Sequence, residues 1–132
     1  MTPEQTKLVQ ESFAKVTPIA DQAAILFYDD LFERDPTLRP LFKGDMPEQR
    51  RKLMAMLATV VANLTAWDTI APAVEALGQR HATYGVRAEH YATVGAALLA
   101  TLEKGLGAGF TPEVRDAWIA CYNQVSAGML RM

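Results

Sequence analysis

Cysteine is nearly absent from this sequence, with one residue, Cys121, in 132. A single thiol excludes an internal disulfide and a multi-cysteine zinc site. Histidine is almost as scarce, and only His81 and His90 offer an imidazole. A glycine-rich phosphate loop, a serine nucleophile elbow and an HExxH pair are all missing, which removes the common motif-bearing hydrolases and nucleotide enzymes. No apolar run approaches the length needed to span a bilayer. The first residues, MTPEQTK, are polar and carry no secretory core. Thirteen basic against fifteen acidic residues give a formal net charge of −2, not the basic footprint of a nucleic-acid binder. These absences predict a cytoplasmic protein with neither a nucleic-acid nor a membrane partner.

What the chain does have is apolar content and helical periodicity. Half of its residues are hydrophobic, enough for one globular domain over 1–132 with a substantial core. Apolar residues recur at three and four nearly throughout, and no segment reads as a strand. Five of the seven prolines stand where a helix would begin, a position at which the missing N–H costs nothing. Thr2-Pro3-Glu4-Gln5 reads as a capping box, opening a helix from about Pro3 to Val16. A second helix is expected from about Ile19 to Arg34, with Ile25, Tyr28, Leu31 and Phe32 inward. Asp35-Pro36 starts a short helical turn ending near Phe42, and Lys43 to Met46 reads as a loop. Pro47 opens a long helix to about Ala66. Further helices are expected over about Ile70–His81, Ala88–Lys104 and from Pro112 onward. Short connections force successive helices to fold back on one another. Wide apolar faces and many prolines favour ridges-into-grooves packing over the stricter heptads of a four-helix bundle.

His81 closes a helical face that runs Val74, Leu77, His81. An imidazole there either bonds a buried polar group or binds a metal, and the spacing alone leaves both readings open. No carboxylate lies at helical metal-ligand spacing from it, and Asp29, Asp30 and Glu33 read as a solvated face. A large flat cofactor held by one axial imidazole would need an apolar pocket with a few polar groups on its far side. Phe42, Leu53, Leu57, Leu77, Val86 and Val94 are candidate walls, and Tyr28 and Gln49 are polar side chains on inward-facing stretches. Met54 and Met56 suit flexible core filler, and Cys121 a small buried hydrophobe.

The runs LFYDDLFERDPTLRPLF (26–42), QRRKLM (49–54), LGQRHATYGV (77–86), EHYATVGAALL (89–99) and DAWIACY (116–122) resemble, in order and in register over nearly the whole chain, a single-domain bacterial haemoglobin. The similarity points to the globins related to flavohaemoglobin. It implies an all-α globin fold of about seven helices sandwiching haem b, iron protoporphyrin IX. In that match His81 is the proximal iron ligand and Phe42 packs on the haem. Tyr28 and Gln49 are the distal polar pair, Leu53 is the aliphatic residue one turn beyond Gln49, and Tyr91 is a proximal hydrogen-bonding neighbour. Leu53, Leu57, Leu77, Val86 and Val94 then line the cofactor. Arg50 and Lys52 suit the haem propionates and equally a solvated surface.

The function implied by the resemblance is reversible binding of dioxygen, for storage, transport or delivery, at a pentacoordinate histidine-ligated iron. Carbon monoxide and nitric oxide are the other expected diatomic ligands. The alternative is nitric oxide dioxygenase activity, a detoxification, with a separate reductase as partner. Flavohaemoglobins also carry a glutamate near the last helix, hydrogen-bonded with the histidine and tyrosine. This sequence stops at Met132, just before that position, so carrier chemistry is expected over peroxidase-like chemistry. A monomer or weak dimer is the expected assembly.

Overall fold

The prolines mark the helix starts as expected. Pro3, Pro47 and Pro112 occupy the first turn of α-helices, and Pro18 and Pro36 open single turns or short runs of 3-10 helix. The computed structural model describes residues 1–130. Its α-helices are α1 (Pro3–Val16), α2 (Ala20–Arg34), α3 (Met46–Ala62), α4 (Trp67–Thr83), α5 (His90–Leu106) and α6 (Pro112–Met129). Four 3-10 segments join them, and no strand occurs among the described residues. The capping box is present. Thr2 Oγ1 accepts from the Gln5 N–H at 3.1 Å, and Gln5 Oε1 accepts from the Thr2 N–H at 3.0 Å.

One turn differs from expectation in type and two helix boundaries in position. The turn from Pro36 to Leu41 is 3-10, with Pro40 inside it. The long helix ends at Ala62 because Asn63 turns back on it. The Asn63 N–H bonds the Val60 carbonyl and its side-chain amide the Thr59 carbonyl, a local competitor to the helical ladder. The next helix begins at Trp67 and runs through Pro72. That proline lies on the solvent side, where a carbonyl deprived of its N–H donor is open to water. Ile25 is also displaced from expectation, at 43% exposed. The buried stripe of α2 is instead Ala23, Ala24, Phe27, Tyr28 and Leu31, and its small residues let α2 lie close along α5.

The core gathers α1, α2, α5 and α6 around Val9, Leu31 and Trp118, each at most 1% exposed. α1 packs mainly on α6 and α2 mainly on α5. The Trp118 indole N–H donates to Ser12 Oγ at 2.8 Å, and Ser12 donates on to the Leu8 carbonyl at 2.7 Å. The one polar pair in the α1–α6 contact is thus satisfied, which buried polar groups require.

α4 enters this core through Ile70 and Val74 and meets chiefly α6. The crossing is made by glycines. A Cβ at Gly78 would lie 1.8 Å from the Met129 carbonyl oxygen, and one at Gly128 would lie 3.0 Å from Val74 Cγ1. The two backbones therefore approach as only glycine allows. This crossing fixes α4 three residues before His81.

Candidate functional site

α3, α4 and α5 each present apolar side chains that the core does not fully cover. Leu53 and Leu57 on α3 and Val94 on α5 are half-buried at its margin. Leu77 on α4 and Val86 just beyond it are half-buried yet stand outside that core. Among the described residues α4 makes no extensive contact with α2, α3 or α5. The half-buried apolar side chains on these helices outline a candidate apolar cleft between α4 and the rest of the fold. A separate apolar cavity of about 20 Å³ lies behind Leu53 and Leu57, against Phe27, Leu98 and Trp118. It has room for one water-sized molecule and no more.

His81 lies one turn beyond Gly78 on α4 and is half-buried. Its Nδ1 is 2.8 Å from the Leu77 carbonyl oxygen. A carbonyl only accepts, so Nδ1 carries the proton and the Nε2 lone pair is left for another partner. The helix then closes on itself. The Val86 N–H returns to the His81 carbonyl at 3.0 Å, and Gly85 takes φ 96° to complete the turn. A Cβ on Gly85 would stand 3.3 Å from Leu41, so this turn abuts the segment that ends in Phe42. The exposed Tyr84 ring lies 6.3 Å from the imidazole.

On α2, Tyr28 is 5% exposed and sits in an aromatic group. Phe27 and Phe42 meet it edge-on at 5.0 and 5.4 Å between centroids, and Phe42 meets Phe32 at 5.4 Å. Arg39 covers the outer face of Phe32 at 5.5 Å. Gln49, in the first turns of α3, donates from Nε2 to Tyr28 Oη at 3.2 Å. That bond uses a lone pair of the phenol and leaves its hydrogen for another acceptor. Burial pushes the Tyr28 phenol above its usual range, and the Gln49 bond offsets this only in part. Tyr28 is therefore a neutral donor at neutral pH.

Tyr91, in the first turn of α5, is half-buried and its phenol is likewise raised by burial. Its backbone carbonyl accepts a 2.5 Å bond from Tyr122 Oη on α6. The Tyr122 ring lies on Gly95, where a Cβ would come within 2.8 Å of it. Tyr122 thus ties the start of α5, with Tyr91 and Val94, to α6.

Among the residues expected at the site four direct pairings are made, Tyr28 with Gln49, Tyr28 with Phe42, His81 with Leu77 and His81 with Val86. Leu41, Tyr84 and Tyr122 were not anticipated. Gly95, a glycine inside a helical run, is the available signal for a close approach there. His90 opens α5, and its Nδ1 accepts from the Arg87 N–H at 3.0 Å. Cys121 is buried, and burial pushes its thiol up to about 12. The glutamate position expected past Met132 lies outside the described residues. Among the described residues no single helix is long and apolar enough to cross a membrane.

A globin family model matches residues 25–129. The chain is 33% identical over 129 residues to the flavohemoproteins of Bordetella parapertussis and Bordetella bronchiseptica, covering 96% of this chain and 32% of each of those proteins. It is also 30% identical over 138 residues to a neuroglobin of Danio rerio, covering 94% of this chain and 87% of that protein. The chain therefore spans about a third of the length of the flavohemoproteins it matches.

Proposed function

The chain belongs to the globin family, and from that premise we propose that it binds dioxygen reversibly at a haem b held by His81 in the cleft beside α4. Family membership supports a haem cofactor and diatomic gas ligands. The donor set fits the cofactor, and one observation carries the reading. The Leu77 carbonyl holds His81 in the tautomer whose Nε2 is free, the arrangement an axial imidazole needs. The apolar side chains of Leu53, Leu57, Leu77, Val86 and Val94 suit the faces of a flat macrocycle, and Phe42 its edge. When bound, haem would supply an iron able to take up a small gas.

The chain's own groups then decide which gas is held. Tyr28 offers a phenolic hydrogen, and Gln49 fixes the phenol by donating to its oxygen. A ligand with negative charge on its outer atom gains from that donor, and a less polar one such as carbon monoxide gains less. A hydrogen bond to a charged group contributes roughly 1.5–3 kcal/mol, about ten- to a hundredfold in dissociation constant. The aromatic group around Tyr28 also keeps water away, which opposes oxidation of the cofactor.

Stopped-flow measurement of dioxygen release from the Tyr28→Phe variant tests the reading. Release is expected to accelerate by about ten- to a hundredfold, with carbon monoxide release much less affected. An unchanged rate of dioxygen release would show that Tyr28 is not the donor.

Likeness to the flavohemoproteins favours one second reading, nitric oxide dioxygenation with a separate reductase. Sustained turnover of nitric oxide to nitrate, with a reductase supplied, would assign that activity. A single stoichiometric burst would leave the carrier role.

A further inference from the structure

Basic residues are concentrated beside the cleft. The stretches 39–52 and 80–90 hold seven basic and three acidic residues, a net of +4. The remaining residues hold six basic and twelve acidic, a net of −6. Charge is thus unevenly spread along the sequence, with Asp35 of the remainder close enough to His90 to feel its charge. The basic residues also have a regular placement. Lys43 follows Phe42, Arg50 follows Gln49, Lys52 precedes Leu53 and Arg80 precedes His81, so each adjoins a residue of the cleft. On α3, at 3.6 residues per turn, Arg50 and Lys52 fall roughly 80° to either side of the line through Gln49 and Leu53. Lys43, Lys52 and Arg80 are exposed and Arg50 is half-buried.

These four charges are also uncommitted. Arg34, Arg51 and Arg87 each face a carboxylate nearby in sequence, namely Asp30, Glu48 and Glu89. Among the described residues Lys43, Arg50, Lys52 and Arg80 make no ion pair. Self-pairing would have cancelled the local field, and its absence leaves a positive rim on a negative molecule.

We propose that this rim docks the acidic face of a partner protein at the mouth of the cleft. The partner's chemistry follows from the charge pattern. A compact acidic surface suits these four cations, because attraction between exposed charges acts over only about 8–10 Å at ordinary ionic strength. An extended polyanion, such as duplex DNA or an anionic membrane, would meet the acidic remainder as well. Complementary charge of this kind orients the encounter and raises its rate more than it deepens the bound state. Docking rests on the rim's charges and placement, and with the proposed haem bound Lys43 and Arg80 carry it wherever the propionates pair with Arg50 and Lys52.

The test uses a purified bacterial flavodoxin, a small acidic protein, as the probe. Its association with the full chain is followed by titration calorimetry and by NMR shift mapping at several salt concentrations. Binding is expected to weaken as salt rises, with shifts at 43–52 and 80–87. Charge reversal by Lys43→Glu, Lys52→Glu or Arg80→Glu should weaken it by about tenfold, as should the milder Lys43→Gln with Lys52→Gln. Reversal at Lys7, Lys15 or Lys104, away from the rim, should leave it unchanged. Circular dichroism verifies that each variant keeps its helices. Salt-insensitive binding, no binding, or equal losses from rim and remote variants would overturn the proposal. So would tighter association with vesicles of phosphatidylglycerol or with duplex DNA than with the flavodoxin.

Discussion

Tyr122 shows how much one side chain controls. Its ring packs against Gly95, and its hydroxyl donates to the Tyr91 carbonyl. Burial pushes its phenol up to about 12, against an ordinary value near 10. The folded state therefore keeps this proton at pH values where the unfolded chain has lost it. The stabilisation is complete below about pH 10 and is lost as pH rises toward 12. Urea midpoints measured from pH 8 to 12 should fall above pH 10, and Tyr122→Phe should blunt that fall. An identical pH dependence in the variant would show that Tyr122 does not carry it. Tyr28 and His81 could be found from the sequence because each adds a polar group to an apolar helical face. Tyr122 could not, because its bond to a carbonyl 31 residues away leaves no local pattern.

At the level of helices, starts are written more clearly than ends. Proline and threonine act within one turn, so Thr2-Pro3 and Thr111-Pro112 announce α1 and α6 directly. The end of α3 depends on Asn63 choosing the Thr59 carbonyl, a choice that composition does not dictate. Which face of α2 turns inward is likewise set by its neighbour. Close approach to α5 selects the alanine stripe and leaves Ile25 outside. The α4–α6 crossing is the element contact on which the site depends. Gly78→Ala would drive a methyl into the Met129 carbonyl, so the helices must separate. The variant should lose about 1–3 kcal/mol in urea unfolding, the usual range for overpacking. It should also hold haem less firmly, because His81 rides on the same helix. Wild-type stability with wild-type haem retention would show that the crossing is not what places His81.

Across the whole molecule, all six α-helices contribute to one core, α4 through Ile70 and Val74, and α4 packs chiefly on α6 beside the candidate apolar cleft. The candidate walls of that cleft are legible in the sequence, because they follow helical periodicity. How the cleft is held open is not legible there, because that rests on glycines 50 residues apart in sequence, Gly78 and Gly128. A ligand that binds only the folded chain raises its stability by mass action. Haem should therefore raise the thermal midpoint of the wild-type protein. The central claim is that His81 is the protein's bond to the haem iron, and haem titration of His81→Gly with and without added imidazole tests it most directly. The account predicts a 1:1 Soret band in the wild-type protein that shifts with carbon monoxide after reduction, its loss in His81→Gly, and its return when imidazole fills the space. A wild-type spectrum in His81→Gly without imidazole would contradict it.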